Sequence, residues 1–114
     1  METKNTVCTL AALAHKSRLS IFRLLVEKGE TGLPVGKIGT TLRIAPATLS
    51  FHLKELTHTH LVTPQQDGRS IIYRANFATV TDLISFLTDN CCDGRPALCV
   101  PKLKKRRTPL RSKP

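Results

Sequence analysis

Apolar residues recur at helical spacing along most of the first sixty positions and change to alternation only once. In NTVCTLAALA, residues 5–14, Val7, Leu10, Ala11 and Ala14 share one helical face, which predicts a short amphipathic helix. SRLSIFRLLVEK, residues 17–28, repeats the pattern with Leu19, Phe22, Leu25 and Val26 facing in, and Gly29 stops that helix. In LPVGKIGTTL, Pro34 suits a first helical position, and Val35, Ile38 and Leu42 follow at spacings of three and four. A second proline start, Pro46, opens PATLSFHLKELTHTHLV, where Leu49, Leu53 and Leu56 form one narrow apolar stripe.

The period then shortens. LVTPQQ and RSIIYRA read as extended runs separated by Asp67-Gly68, a two-residue hairpin signal. Ile71, Tyr73 and Ala75 share one face of the second run, and Pro64 suits an edge strand. Asn76 can cap a last helix through Phe77, Val80, Leu83, Ile84 and Leu87, which ends near Cys91 and Cys92. Gly94, Pro96 and Pro101 exclude its regular continuation. The order helix, helix, helix, short turn, helix, hairpin, helix describes a mainly α fold with a small β-hairpin, a winged helix-turn-helix. In that arrangement the second helix of the pair enters the major groove and the hairpin reaches along the backbone.

On the helix from Pro46 to about His60 the leucine stripe must face the core. Ala47, Thr48, Ser50, Phe51, His52, Lys54 and Glu55 are then expected on lateral and outer faces. Serine, threonine and histidine can bond base edges or phosphates, an exposed phenylalanine can touch a thymine methyl, and Lys54 suits a phosphate. Arg69, beside the hairpin turn, is placed to reach a phosphate or the minor groove, and Arg43 lies in the turn between the paired helices.

Charge sharpens this picture. The chain of 114 residues carries 18 Lys and Arg against 8 Asp and Glu, a net charge of +10. Seven basic residues and no acidic ones fall between Lys102 and Pro114, which leaves residues 1–101 at only +3. A basic tail on a mildly basic domain points to a polyanion, most simply nucleic acid. No apolar run approaches the ~18 residues that span a bilayer, and METKNTVCTL is unlike a signal peptide. The expected setting is a reducing cytoplasm without membrane association, where the four cysteines read as ligands or reactive thiols rather than a disulfide framework.

APATLSFHLKELTHTHLV followed by DGRSIIYRA resembles the signature of the ArsR/SmtB family of metal-responsive winged-helix repressors, and the resemblance covers roughly residues 5–90. It implies a homodimer that binds an inverted-repeat operator and lets go when an inducer ion binds. It further implies DNA contacts from Thr48, Ser50, Phe51 and His52, a wing contact from Arg69, and a dimer interface made by the first and last helices. The chain departs from the family pattern in three places. His60 stands where many members have glycine; VGKIGTTL lacks the thiols of members that bind metal there; and the last helix offers Asp82 and Asp89 but no histidine.

The remaining candidate ligands are Cys91, Cys92 and Cys99 in NCCDGRPALC. Adjacent side chains on an α-helix diverge by about 100°, so the helix must end at the pair if both thiols are to meet one atom. Gly94 and Pro96 then allow Cys99 to turn back. Three thiolates are soft ligands that disfavour magnesium, calcium or manganese. Structural zinc wants four ligands, so a fourth would have to come from Asp93, Cys8 or water. Trivalent arsenic is satisfied by three thiolates, antimony is chemically similar, and the family resemblance includes arsenic-responsive members with cysteines near the chain's end. Cys8, alone on the first helix, reads as structural, and His15, His58 and His60 show no ligand spacing with the thiols.

The resulting expectation is a homodimeric repressor, not an enzyme, that is released from operator DNA by arsenite. Residues 1–92 would form the DNA-binding and dimerisation domain, 93–101 a cysteine-containing inducer loop and 102–114 a disordered basic tail. Release by zinc, cadmium or thiol oxidation stays open. So do two other classes, a thiol-dependent reductase using Cys91 and Cys92 and a nonspecific DNA-coating protein driven by the tail.

Overall fold

The computed structural model describes residues 1–89. The three cysteines of the proposed inducer site and the basic tail lie outside them. Tertiary contacts divide the chain after Val80.

The first part contains α1 (Thr3–Leu13), α2 (Lys16–Lys28), a 3-10 turn (Gly29–Thr31), β1 (Leu33–Pro34), α3 (Val35–Leu42), α4 (Pro46–His58), β2 (Val62–Asp67) and β3 (Ser70–Ala75). The strands form an antiparallel sheet in the order β1-β3-β2. Pro64 on the edge strand β2 faces Tyr73, so its missing N–H costs little pairing. β1 went unread in the sequence because its two residues are too few to alternate. It is defined only by its partner β3, through Leu33 opposite Tyr73 and Pro34 opposite Ile72.

The hairpin turn sits one residue later than the Asp67-Gly68 signal suggests. Asp67 pairs with Ser70, which leaves Gly68 and Arg69 as the two loop residues. Only Gly68 has a positive φ, 63°. Glycine alone at the first central position is the type II′ pattern, whose twist matches the strands it joins.

Ile21, Leu25, Ile38, Leu53, Leu56, Leu61 and Val62 are fully buried and form the centre of the core. The inward stripes read for α3 and α4 are those of the structure. The first two helices require correction. α1 buries Thr6, Thr9 and Ala12, while Val7, Leu10, Ala11 and Ala14 are exposed. Burial of the two threonines is tolerated because their hydroxyls donate to the carbonyls of Glu2 and Asn5 at 2.8 and 2.9 Å. The more apolar stripe is thus left uncovered within one chain. In α2, Ile21 joins Phe22 and Leu25 inside, and Leu19 and Val26 are exposed.

α5 (Phe77–Leu87) begins in the first part and continues into the second. Asn76 caps it as expected, its Oδ1 accepting from the N–H of Ala78 at 3.2 Å. Its apolar stripe is not uniformly buried. Leu83 is inside, whereas Phe77, Ile84 and Leu87 are exposed.

Candidate nucleic-acid interface

α3 and α4 are joined by Arg43, Ile44 and Ala45. Arg43 leaves α3 in a left-handed conformation, φ 56°, and the N–H of Ile44 bonds the carbonyl of Gly39 at 3.0 Å. Gly39 also sets how closely the helices meet. A β-carbon there would lie 3.2 Å from Leu49 Cδ2 and 3.3 Å from the Ile44 carbonyl oxygen, tighter than ordinary contact. The turn is therefore short and closely packed.

Pro46 starts α4 at a position where its missing N–H leaves no bond unmade. Leu49, Leu53 and Leu56 anchor the helix in the core. Ala47, Thr48, Ser50, Phe51 and Lys54 are exposed and Glu55 is half-buried. Phe51 is the notable one, since a phenyl ring 55% exposed leaves much apolar surface in water. A groove of about 660 Å³ separates this helix from the wing, lined by Ser50, Leu53, Lys54, Pro64, Ile71 and Tyr73 among others. Arg69 is exposed at the tip of the wing.

His52 does not belong to the outer face. It is only 5% exposed. The physical reason is readable in its spacing. His52 stands three residues after Leu49 and four before Leu56, so it falls within the inward stripe, and its polarity obscured that signal. Its Nδ1 accepts from the Nε–H of Arg18 on α2 at 3.3 Å. The His15 ring lies 4.6 Å away between centroids, and the Phe51 ring meets it edge-on at 5.8 Å. Burial first, and then the His15 and Arg18 charges, lower the His52 pKa below 6.5. The neutral imidazole that results has an acceptor on Nδ1 and so carries its proton on Nε2.

The end of α4 is finished by His60 in the place of a glycine. The N–H of Leu61 bonds the Leu56 carbonyl at 2.9 Å and the N–H of His60 bonds the Thr57 carbonyl at 3.0 Å. These are the paired bonds of a Schellman motif, and they require the left-handed φ of 63° that His60 adopts. Sequence reasoning missed Arg18, whose two aromatic partners lie more than thirty positions away. It also missed the closure of α4 onto α5, where the Thr79 hydroxyl donates to the His60 carbonyl at 2.7 Å.

Among the described residues no group of three or more His, Cys, Asp or Glu side chains is arranged to hold a metal ion. No helix among them is long and apolar enough to cross a membrane.

A helix-turn-helix domain family matches residues 13–65. No curated protein sequence matches the chain. Similar solved structures include an ArsR-like transcriptional regulator from Rhodococcus sp. RHA1, 24% identical over 89% of this chain and 92% of that one, with a TM-score of 0.70. The homodimeric winged helix-turn-helix DNA-binding domain of Mb0332 from Mycobacterium bovis is 26% identical over 76% of this chain and 81% of its own, at a TM-score of 0.62. The transcriptional repressor BigR from Xylella fastidiosa is 29% identical over 75% and 85%, at 0.58. The chain has the winged helix-turn-helix fold of these solved regulators, and its residues 13–65 resemble a helix-turn-helix domain family.

Proposed function

We propose that this protein is a homodimeric transcriptional repressor of ArsR/SmtB type, released from operator DNA by trivalent arsenic. The observation that carries the DNA-binding reading is the outward face of α4. Thr48, Ser50, Phe51 and Lys54 stand exposed on a helix whose other face is pinned by leucines, and Arg69 is exposed on the wing. Thr48 and Ser50 read base edges, Phe51 meets a thymine methyl, Lys54 binds a phosphate, and Arg69 binds a phosphate or enters the minor groove. His52 orders the helix from behind instead of touching DNA. In a two-fold dimer, two such helices about 34 Å apart address successive major grooves. The exposed apolar stripe of α1, with Val7 at 59% and Leu10 at 42%, supports association of two chains through that helix.

The inducer reading rests on donor chemistry in the sequence. Cys91, Cys92 and Cys99 supply three thiols within one short segment, a soft set suited to arsenite and antimonite. Binding there acts on α5, which runs toward Cys91 in sequence and whose first turn is bonded to the end of α4. Coupling is reciprocal, so the operator weakens arsenite binding by the same factor that arsenite weakens operator binding.

The test is a competition at fixed salt between random duplex and an operator selected from a random pool, followed by release titrations with arsenite, antimonite, zinc and peroxide. Operator preference of about a thousandfold or more, with release by arsenite and antimonite, is expected. Equal affinity for both duplexes would leave a nonspecific coating protein, and release by zinc or peroxide alone would reassign the inducer.

A further inference from the structure

Arg18 lies on α2, outside the helix-turn-helix pair, and two contacts fix its guanidinium. Its Nε–H donates to His52 Nδ1 over 3.3 Å. Its central carbon lies 5.6 Å from the centroid of the Phe51 ring, within the range at which a cation is drawn to an aromatic face. The two partners differ in exposure. His52 is buried, whereas Phe51 is 55% exposed on the outward face of α4. The half-buried Arg18 therefore spans from the interior to the edge of the reading surface.

The guanidinium has five N–H donors in a planar fork. His52 occupies the one on Nε, and among the described residues the terminal Nη groups make no hydrogen bond. The first turn of α2 contains no acidic residue to meet them. A fork immobilised at its base, with its tips unengaged beside the DNA-reading face, matches the two oxygens of a phosphate.

We propose that Arg18 is a phosphate-binding residue of the DNA interface, held beside the reading helix by His52 and Phe51. The proposal rests on the DNA-binding reading above and adds a contact from outside the helix-turn-helix pair. Arg18 sets where α4 lies against the duplex and reads no bases itself. His52 is its positioning residue. A neutral imidazole accepts from Nε, and a protonated one has no acceptor to offer.

The experiment measures the salt dependence of binding to random duplex and to selected operator, for the full chain and for Arg18→Met and Arg18→Lys, with folding checked by circular dichroism. Loss of one phosphate contact reduces the log–log slope by about 0.9. That reduction is expected for Arg18→Met, equally on both duplexes. Arg18→Lys should keep the slope but bind more weakly, because an ammonium lacks the fork. Should Arg18→Met fail to fold, Arg18→Gln, which keeps a donor for His52, is read by the same criterion. An unchanged slope in the neutral variant overturns the proposal and confines Arg18 to the fold. A slope change on operator alone also overturns it. If wild type shows no preference for operator, the repressor reading fails while the slope on random duplex still decides the role of Arg18. Binding to neither duplex overturns both.

Discussion

Thr79 donates its hydroxyl hydrogen to the main-chain oxygen of His60 over 2.7 Å, joining the first turn of α5 to the residue that closes α4. The N–H of Asn76 makes a second bond to the next carbonyl, that of Leu61, at 2.9 Å. Because Thr79 is only 9% exposed, water replaces its hydroxyl poorly. Thr79→Val keeps the shape and removes the donor, and is expected to cost about 1–3 kcal/mol of stability. The check is a lower urea midpoint at unchanged m-value, with Thr79→Ser closer to wild type. A valine variant as stable as wild type would show that the bond contributes nothing.

His60 bears the cost of a conformation that suits glycine. An L-residue in the left-handed region loses about 1–2 kcal/mol, and the exposed His60 side chain makes no hydrogen bond among the described residues. Since glycine also frees the unfolded chain, His60→Gly is expected to stabilise by only about 0.5–1 kcal/mol. Chemical denaturation measures it. Destabilisation would mean that the imidazole contributes packing that outweighs the backbone strain.

The depressed pKa of His52 has a definite sign in stability. Burial, His15 and Arg18 hold the folded value below 6.5, whereas the unfolded chain titrates near about 6.5. Between the two values the unfolded state binds more protons, so stability is complete above the unfolded pKa and falls as pH drops toward the folded one. Melting temperature should therefore decline from about pH 7.5 to 5.5, and His52→Gln, which does not titrate, should lose less over that window. Equal declines would assign the effect to other groups.

Much of the fold was legible because α3, α4 and the hairpin have periods set by a single core. Leu49, Leu53 and Leu56 face inward as their spacing requires. α1 and α2 misled because their strongest apolar stripes are not the ones a single chain buries. Thr6 and Thr9 go inside with their hydroxyls satisfied locally, and Val7 and Leu10 stay out. The outward face of α4 was recoverable at Thr48, Ser50, Phe51 and Lys54, all of them exposed. His52 was missed because its polarity hid a spacing that puts it on the inward stripe, and its partner Arg18 lies far away in sequence. The wing turn shifted by one residue because Asp67 is itself paired.

Ser50 is exposed on the outward face of α4, and a good base contact contributes about 1–3 kcal/mol of discrimination. Ser50→Ala is expected to weaken operator binding while leaving random-duplex binding nearly unchanged. Fluorescence anisotropy on both duplexes measures this. Equal losses would assign Ser50 to the phosphate backbone.

In the proposed repressor, three thiols receive the inducer and transmit release to α4. The most direct measurement is arsenite-driven release of labelled operator, followed by anisotropy, for Cys91→Ser, Cys92→Ser, Cys99→Ser and Cys8→Ser. Each variant should bind operator like wild type, because α4 and the wing contain none of these cysteines. If three thiolates share one centre, the first three should release poorly, and Cys8→Ser, altered on exposed α1, should release normally. Normal release by Cys99→Ser together with loss of release in Cys8→Ser would overturn the three-cysteine site and move a ligand to the first helix.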